Sequence, residues 1–299
     1  MPAPQIDCLA DICGVTPQSL LDLSRSVNQH YHRFGIDKGN GKKRWIEAPS
    51  NFLKYTQKQI LLEILYKVSP HEAAHGFVPN RSIVTNAEPH VNREWVANFD
   101  IKGFFPATKR PLIKDVLSRY TQLNEDERRV VLKLVSKNGV LPQGAPTSPH
   151  IANLAMYEAD LKMQHYADVN NLKYTRYADD LTFSGDRLPK ELRRFIGRSI
   201  RPLGYQIASG KSKWLPQSKR QMVTGLVVNK SIGLPRPERK RLRAIIHDAK
   251  MRGEDALDKA GLMLCQVEGK IALQMMWDEA SARRQLLDLR EAIDLDRSI

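Results

Sequence analysis

Apolar positions along this chain recur at two periods, and the switches between them lay out its elements. After Thr16-Pro17, a cap followed by proline at the first helical position, Leu20, Leu21, Leu23 and Val27 mark a helix. Residues 30–34 and 42–49 flank the turn Lys38-Gly39-Asn40-Gly41 and read as a hairpin whose second strand is basic. Ser50 caps a helix over 51–68, with Leu53, Ile60, Leu61, Ile64 and Leu65 on its apolar face and Ser69-Pro70 at its end. Residues 95–101 read as a buried strand. Helices follow at 110–120 and 124–136, the second opening on a capping box of Asn124 and Glu127. A rigid Gly/Pro loop at 141–149 leads into a helix expected to run unbroken over 148–169, packed through Ile151, Leu154, Ala155, Leu161 and Tyr166.

In the second half, 172–176 and 181–184 are short β-branched and aromatic runs around a tight turn, the signature of a hairpin. Residues 188–202 read as an amphipathic helix, and 220–228 with 231–234 as a further hairpin. Pro235-Arg236-Pro237 then breaks the chain. Beyond it Leu242, Ile245, Ile246 and Ala249 form a helical stripe, and 278–299 form a last helix through Leu286, Leu287, Leu289 and Ile293.

Composition narrows the class. With 299 residues, 41% hydrophobic and 27% charged, the chain can bury one large or two modest cores. No apolar run approaches a membrane span, Met1-Pro2-Ala3-Pro4-Gln5 lacks a signal-peptide profile, and Cys8, Cys13 and Cys265 form no paired motif. The expectation is a reduced, cytoplasmic protein without a membrane partner. Lys+Arg number 47 against 33 Asp+Glu, a formal charge of +14. The excess is concentrated: residues 211–252 hold twelve bases and two acids, whereas 253–299 hold six bases and ten acids. A surface that tracks phosphates needs such a concentration.

The chemistry centres on Tyr177-Ala178-Asp179-Asp180. Adjacent carboxylates at a hairpin tip repel unless a cation lies between them, although turn aspartates also bond their own backbone. A third carboxylate, Asp100, ends the 95–101 strand, where a cap would serve as well. Three carboxylates on two strands of one sheet could hold two Mg²⁺ ions for an in-line phosphoryl transfer.

Asp100 with Phe104-Phe105-Pro106, Leu141-Pro142-Gln143-Gly144-Ala145-Pro146-Thr147-Ser148-Pro149 and Tyr177-Ala178-Asp179-Asp180 come in the order of reverse-transcriptase motifs A, B and C, so the chain resembles that family. Two smaller elements resemble markers of retron reverse transcriptases: Asn86-Ala87-Glu88-Pro89-His90 as NAxxH, and Val223-Thr224-Gly225 as VTG. The likeness runs from about Trp45 to Val228. It implies an α+β fold of right-hand polymerase architecture, with an antiparallel palm sheet backed by helices: N-terminal region and fingers over 1–94, palm over 95–109, fingers and palm helices over 110–140, palm with a primer-grip hairpin over 141–234, and a small helical thumb over 235–299.

The resemblance also implies roles. Asp100, Asp179 and Asp180 would hold the two Mg²⁺ ions with the Ile101 carbonyl. Lys43 and Arg44, which on their own suit a solvated edge strand, would take the incoming triphosphate. Gly103, Phe104, Phe105, Gln143 and Lys211 would complete the deoxynucleotide pocket, with Phe105 as the gate against a ribose 2′-OH and Lys211 near the leaving pyrophosphate. One of the two phenylalanines is expected to be core. Arg81, Asn86, His90, Val223, Thr224, Gly225, Arg239, Lys240 and Arg243 would contact nucleic acid.

The implied partners are dNTPs, a cognate structured non-coding RNA, its RNA–DNA product primed from a guanosine 2′-OH, host RNase H, and a separately encoded effector in anti-phage defence. Group II intron-like or diversity-generating reverse transcriptases are the neighbouring alternative. They are disfavoured by the NAxxH and VTG matches and, for an intron maturase, by the lack of a domain after the thumb; nor is there room for an RNase H domain. An RNA-binding module with an idle polymerase site is disfavoured because all three carboxylates and Gln143 are present.

Overall fold

The computed structural model describes residues 4–37, 39, 41, 43–253 and 255–297. Lys38, Asn40 and Lys42 of the expected turn, and Met1 to Ala3, lie outside the described residues. The chain divides into two compact units, Met1–Ser82 with Ala97–Trp214, and Ile83–Val96 with Leu215–Ile299.

The first unit opens with α1 (Asp7–Cys13), a helix too short for its periodicity to be read, and α2 (Pro17–Ser26), capped by Thr16 Oγ1 accepting from Ser19 N at 3.2 Å. β1 (Tyr31–Asp37) and β2 (Lys43–Pro49) pair antiparallel from Tyr31↔Pro49 to Asp37↔Lys43, the hairpin expected from the pattern. α3 (Asn51–Glu63) starts at the Ser50 cap but ends five residues early. Ile64 leaves helical geometry at φ −120°, and a 3₁₀ turn, Leu65–Lys67, completes the segment. The five-residue α4 (Ile83–Ala87) belongs to the second unit.

A four-stranded sheet in the order β4-β5-β3-β6 has most of its residues in the first unit, the start of β3 and the end of β6 being assigned to the second. Its strands are β3 (Trp95–Asp100), β4 (Lys173–Tyr177), β5 (Asp180–Gly185) and β6 (Lys213–Pro216). Phe99 stacks edge-on against both Phe183 and Trp214, at 5.7 Å in the second case. Trp95 is exposed, so the buried part of β3 begins at Val96. After the one-turn α5 (Phe104–Ala107), helices α6 (Arg110–Tyr120) and α7 (Glu125–Leu134) pack on each other. α7 opens on the full capping box: Glu127 N donates to Asn124 Oδ1 and Asn124 N to Glu127 Oε2, each at 2.9 Å.

The helix expected over 148–169 is two, α8 (Ser148–Ala155) and α9 (Tyr157–Val169), separated at Met156 where ψ tightens to −6°. A break of one residue keeps the phase, so the pattern reads as continuous. Leu161 is 50% exposed, because the buried stripe of α9 is Ala159, Asp160, Met163 and Ala167. α10 (Leu192–Ile200) begins after Leu188-Pro189, since a residue before proline avoids helical geometry. A 3₁₀ turn, Arg201–Leu203, follows it.

In the second unit β7 (Met222–Val223) and β8 (Leu226–Val227) make a hairpin whose turn is Thr224-Gly225. The expected pairing of 220–228 with 231–234 shrinks to one bridge, Val227↔Gly233. Thr224 and Gly225 both have positive φ, 47° and 83°, the geometry of a tight two-residue turn. A β-branched residue rarely adopts it, which hid the turn. Around this hairpin Ala87, Val96, Val228 and Leu234 are buried. A separate helical cluster holds α11 (Arg236–Arg252), α12 (Asp255–Ala260), α13 (Leu264–Met275) and α14 (Glu279–Arg297), with Leu242, Ile245, Ile271, Leu289 and Ile293 at its centre. Leu287 is 59% exposed, one position off the α14 stripe. No helix among the described residues is long and apolar enough to cross a membrane.

The capping box offers a direct check of local stability. Asn124→Ala should cost about 1 kcal/mol and lower the thermal midpoint by about 2–4 °C, measured by differential scanning calorimetry.

Candidate active site

Tyr177 pairs with Asp180 across the β4–β5 hairpin, which leaves Ala178 and Asp179 as its two-residue turn. Asp179 therefore occupies the apex and Asp180 begins β5. Ile101 N donates to the Asp179 carbonyl at 2.9 Å, so the apex is tied to the end of β3, one residue past Asp100. Asp100 is fixed from the other side, its own carbonyl accepting from Ala208 N at 2.7 Å.

Burial pushes both turn carboxyls above the usual carboxylate range. Asp180 rises to about 6, by burial first and then by the charges of Asp179 and Asp100, against the pull of Lys211 and Lys213. Asp179 rises by burial and the Asp100 charge, against its own backbone hydrogen bond, Lys211 and Arg44. Lys211 Nζ donates to both oxygens of Asp100, at 2.8 and 2.7 Å. Its side chain is largely exposed, so the pair contributes no more than about 1 kcal/mol and is readily exchanged.

Among the described residues no three His, Cys, Asp or Glu side chains converge as a preformed metal cage. The donor chemistry nevertheless fits a hard divalent cation: carboxylates lifted in pKa first by burial and then by neighbouring carboxylate charge are what such an ion relieves. Asp100 would exchange Lys211 for it.

One cavity of about 700 Å³ gathers most of the residues singled out from the sequence. Asp100, Ile101 and Asp179 line it, together with Lys43, Arg44, Gly103, Phe104, Phe105, Gln143 and Lys211. Asp180 is not on its wall. Phe104 is buried, 5.4 Å from the Tyr205 ring, while Phe105 is half-buried at the wall; the core phenylalanine and the pocket phenylalanine are thereby distinguished. β2 is held to the 141–149 loop by Glu47 N donating to the Gln143 carbonyl at 2.8 Å. A Cβ on Gly144 would lie 2.8 Å from the Glu47 carbonyl oxygen, so this approach requires glycine. The cavity also takes in residues the sequence did not mark: Arg33, stacked 4.4 Å over Trp45, and Lys137, ion-paired with Glu47.

Beneath the acidic turn lies a network that sequence reasoning missed. Arg176 and Asp160 are both completely buried and bond as a fork, Nε to Oδ1 at 2.9 Å and Nη2 to Oδ2 at 2.6 Å. Burial works against the Arg176 charge, and Asp160 outweighs it, so the guanidinium stays ionised. Its remaining arm, Nη1, donates to Asn153 Oδ1 at 2.8 Å and to the Ala178 carbonyl at 3.0 Å, inside the turn itself. Asn153 Nδ2 in turn donates to the Gly76 carbonyl at 2.9 Å. A Cβ on Gly76 would meet Ala178 N at 2.5 Å, so only glycine permits the chain to pass this close. The available signal was a charged residue inside a buried strand, Arg176 between Thr175 and Tyr177.

The residues expected to contact nucleic acid divide by exposure. Arg239, Lys240 and Arg243 are exposed on α11, and Gly225 is exposed at its turn. Arg81 is half-buried and donates to the Glu72 carbonyl. Asn86 and His90 are fully buried and Val223 nearly so, which removes these three side chains from direct RNA contact. Thr224 Oγ1 donates to the Ile83 carbonyl at 2.9 Å, joining the VTG turn to the start of α4, which carries Asn86. The NAxxH and VTG elements are therefore parts of one packed corner of the second unit.

Residues 36–227 match the family model described as "Reverse transcriptase (RNA-dependent DNA polymerase)", and the chain belongs to the reverse transcriptase family. Within that family it is of the retron type. It is 35% identical over 261 residues to the retron Mx65 reverse transcriptase of Myxococcus xanthus, covering 81% of this chain and 61% of that protein. It is 33% identical over 297 residues to the retron Mx162 reverse transcriptase of the same organism, again over 61% of the relative. With the retron Ec86 reverse transcriptase of Escherichia coli the identity is 34% over 240 residues, 78% of this chain and 74% of the relative. The chain thus spans about three-fifths of the length of the two Myxococcus relatives.

The network under the turn predicts a split between stability and activity. Arg176→Met should cost about 3–5 kcal/mol, because it strands the buried Asp160 carboxylate. Adding Asp160→Asn should recover most of the thermal midpoint yet leave nucleotide incorporation low, since nothing then holds the Ala178 carbonyl. Recovery of both would mean that the pair serves stability alone.

Proposed function

We propose that the chain is a retron RNA-directed DNA polymerase that copies part of a structured non-coding RNA into single-stranded DNA. The observation that carries this reading is the single cavity in which Asp100 and Asp179 face Lys43, Arg44, Gln143 and Phe105. Carboxylates and basic side chains lining one cavity are what a reaction needs when it activates a hydroxyl and holds a triphosphate. Family membership and the retron relatives support the same conclusion.

In this proposal Asp100, Asp179 and Asp180, with the Ile101 carbonyl, would hold two Mg²⁺ ions, whose chemistry would be activation of the priming hydroxyl and charge neutralisation at the departing pyrophosphate. Lys43 and Arg44 hold the triphosphate in line, the guanidinium matching its oxygens. Gln143 and Gly103 border the base and sugar. Phe105, backed by Phe104, excludes a ribose 2′-OH. Lys211 leaves Asp100 and turns to the phosphates.

The polymerase regions we assign are fingers within 1–94, palm over 95–109 and 141–234 with the helices of 110–140 between, and thumb over 235–299. Arg239, Lys240 and Arg243 of the thumb track duplex phosphates, Arg81 approaches the template, and Thr224-Gly225 presents the turn nearest RNA. Asn86, His90 and Val223 shape that corner from within.

The finer reading is that synthesis starts from a guanosine 2′-OH, giving a branched RNA–DNA hybrid trimmed by host RNase H. It acts in the cytoplasm, in anti-phage defence with a separately encoded effector. The retron type of the relatives supports it, and sequencing the nucleic acid that co-purifies with the protein tests it.

Two substitutions test the chemistry. Asp179→Asn keeps the shape of the turn and removes a charge, so primer extension with Mg²⁺ should fall by at least about 10³-fold while the thermal midpoint stays near that of the parent. Near-normal extension would remove Asp179 from the catalytic set. Phe105→Ala should raise incorporation of ribonucleotides relative to deoxynucleotides on one primed template. An unchanged ratio would assign the gate to another residue.

A further inference from the structure

Outside the cleft, the first unit holds a second cavity, larger at about 890 Å³ and chemically unlike the first. It is formed by α10, the flanking Lys190 and Glu191, the turn residue Arg201, and the segment Tyr205-Gln206-Ile207. Five cationic side chains line it, Lys190, Arg193, Arg194, Arg198 and Arg201, against one acid, Glu191. All five are exposed, and among the described residues none makes a salt bridge or a side-chain hydrogen bond. Along α10 they fall in two neighbouring rows, 190–194–198 and 193–197–201, each step rising about 6 Å.

Gly197 is the only uncharged member of those rows. A glycine inside a helix costs about 1 kcal/mol relative to alanine. Here sterics do not demand it, because a Cβ would reach only Ile207 Cδ1 at 4.0 Å. Its effect is to keep the floor of the groove open between the two cationic rows. The one aromatic residue on the wall, Tyr205, is 1% exposed and its hydroxyl bonds Thr108 Oγ1, so it offers no face for stacking an unpaired base.

We infer that this groove is a second nucleic-acid site that grips the phosphodiester backbone of double-helical RNA, apart from the polymerase cleft. Unpaired cations at helical steps around an open floor, with no stacking platform, suit a duplex backbone and not splayed single-stranded bases. Its wall continues into the catalytic strand: Gln206 accepts from Lys102 N at 2.8 Å, and Ile207 bridges Ile101 beside Asp100. An RNA stem seated there is held by the same body that carries the carboxylates, which keeps a structured template near the site between synthesis steps. The choice of RNA rests on the reading that the protein copies RNA.

The test uses the full chain carrying Arg193→Gln, Arg194→Gln, Arg198→Gln and Arg201→Gln, with Arg194→Gln/Arg198→Gln as the milder variant should the first fail to fold. Binding to a labelled RNA hairpin with a stem of about 16 base pairs and no primer end is followed by anisotropy from about 50 to 200 mM salt. The expected result is binding at least about tenfold weaker at the middle of that range, with the log K against log salt slope flattened by about three for the fourfold variant and about half that for the double. Extension of a short primer annealed to an unstructured template should stay within about twofold at saturating template.

Unchanged affinity and slope would overturn the proposal and leave the face merely solvated. An equal loss of binding and extension would overturn its separateness from the cleft. A loss confined to a DNA stem of the same sequence would overturn the assignment to RNA. If the parent protein fails to extend any primer, the polymerase reading falls, and the binding arm still decides the groove.

Discussion

A guanidinium with no exposed surface sits directly under the acidic turn, and the placement of the turn depends on it. Removing Arg176 and Asp160 from water costs several kcal/mol per ion, and only hydrogen-bonded partners offset that. Four of the five guanidinium N–H groups are partnered here: a two-pronged fork to Asp160, one bond to Asn153 and one to the Ala178 carbonyl. Because each bond is directional, the pair converts burial energy into position. It fixes α8 through Asn153, α9 through Asp160, β4 through Arg176 itself, and the Gly76 segment through the Asn153 amide. An apolar core of equal volume would stabilise the sheet as well, but it would hold no carbonyl.

The rigidity below the turn contrasts with the exchangeable charge above it. Asp179 is pushed up by burial and the Asp100 charge, Asp180 by burial and the charges of Asp179 and Asp100, and Asp100 itself is paired with a lysine whose side chain is mostly in solvent. Such a pair is weak because water screens it and the long lysine side chain loses freedom in making it. Lys211 therefore neutralises Asp100 without committing it. A fixed backbone carrying carboxylates whose counter-charge can leave is suited to a site that must take up and release polyanionic ligands in each cycle.

The parts of this arrangement that the sequence disclosed are those whose signal is local. The hairpin at 173–185 was legible because its turn and its two short runs are contiguous, and the capping box at Asn124 because it spans four residues. The seven residues expected around the nucleotide share one cavity because their motifs sit on element ends, where side-chain direction follows from the turn. What stayed hidden depended on partners distant in sequence. Asp160 lies in the buried stripe of α9, where an apolar residue is expected, so the stripe was misphased onto Leu161. Its partner Arg176 is sixteen residues on and looks like an ordinary strand arginine until the fork is seen. The Thr224-Gly225 turn was missed for a different reason, a β-branched residue held at φ 47°.

The same distinction explains why Asn86, His90 and Val223 read from sequence as contact residues and are buried in the structure. A motif marks only that certain side chains are needed together, and packing needs them as strictly as binding does. Thr224 Oγ1 on the Ile83 carbonyl ties the VTG turn to the helix that carries Asn86, beside the apolar cluster of Ala87, Val96, Val223 and Val228. What this corner presents outward is the Gly225 turn and the Glu88 side chain, while Asn86, His90 and Val223 act from beneath by packing.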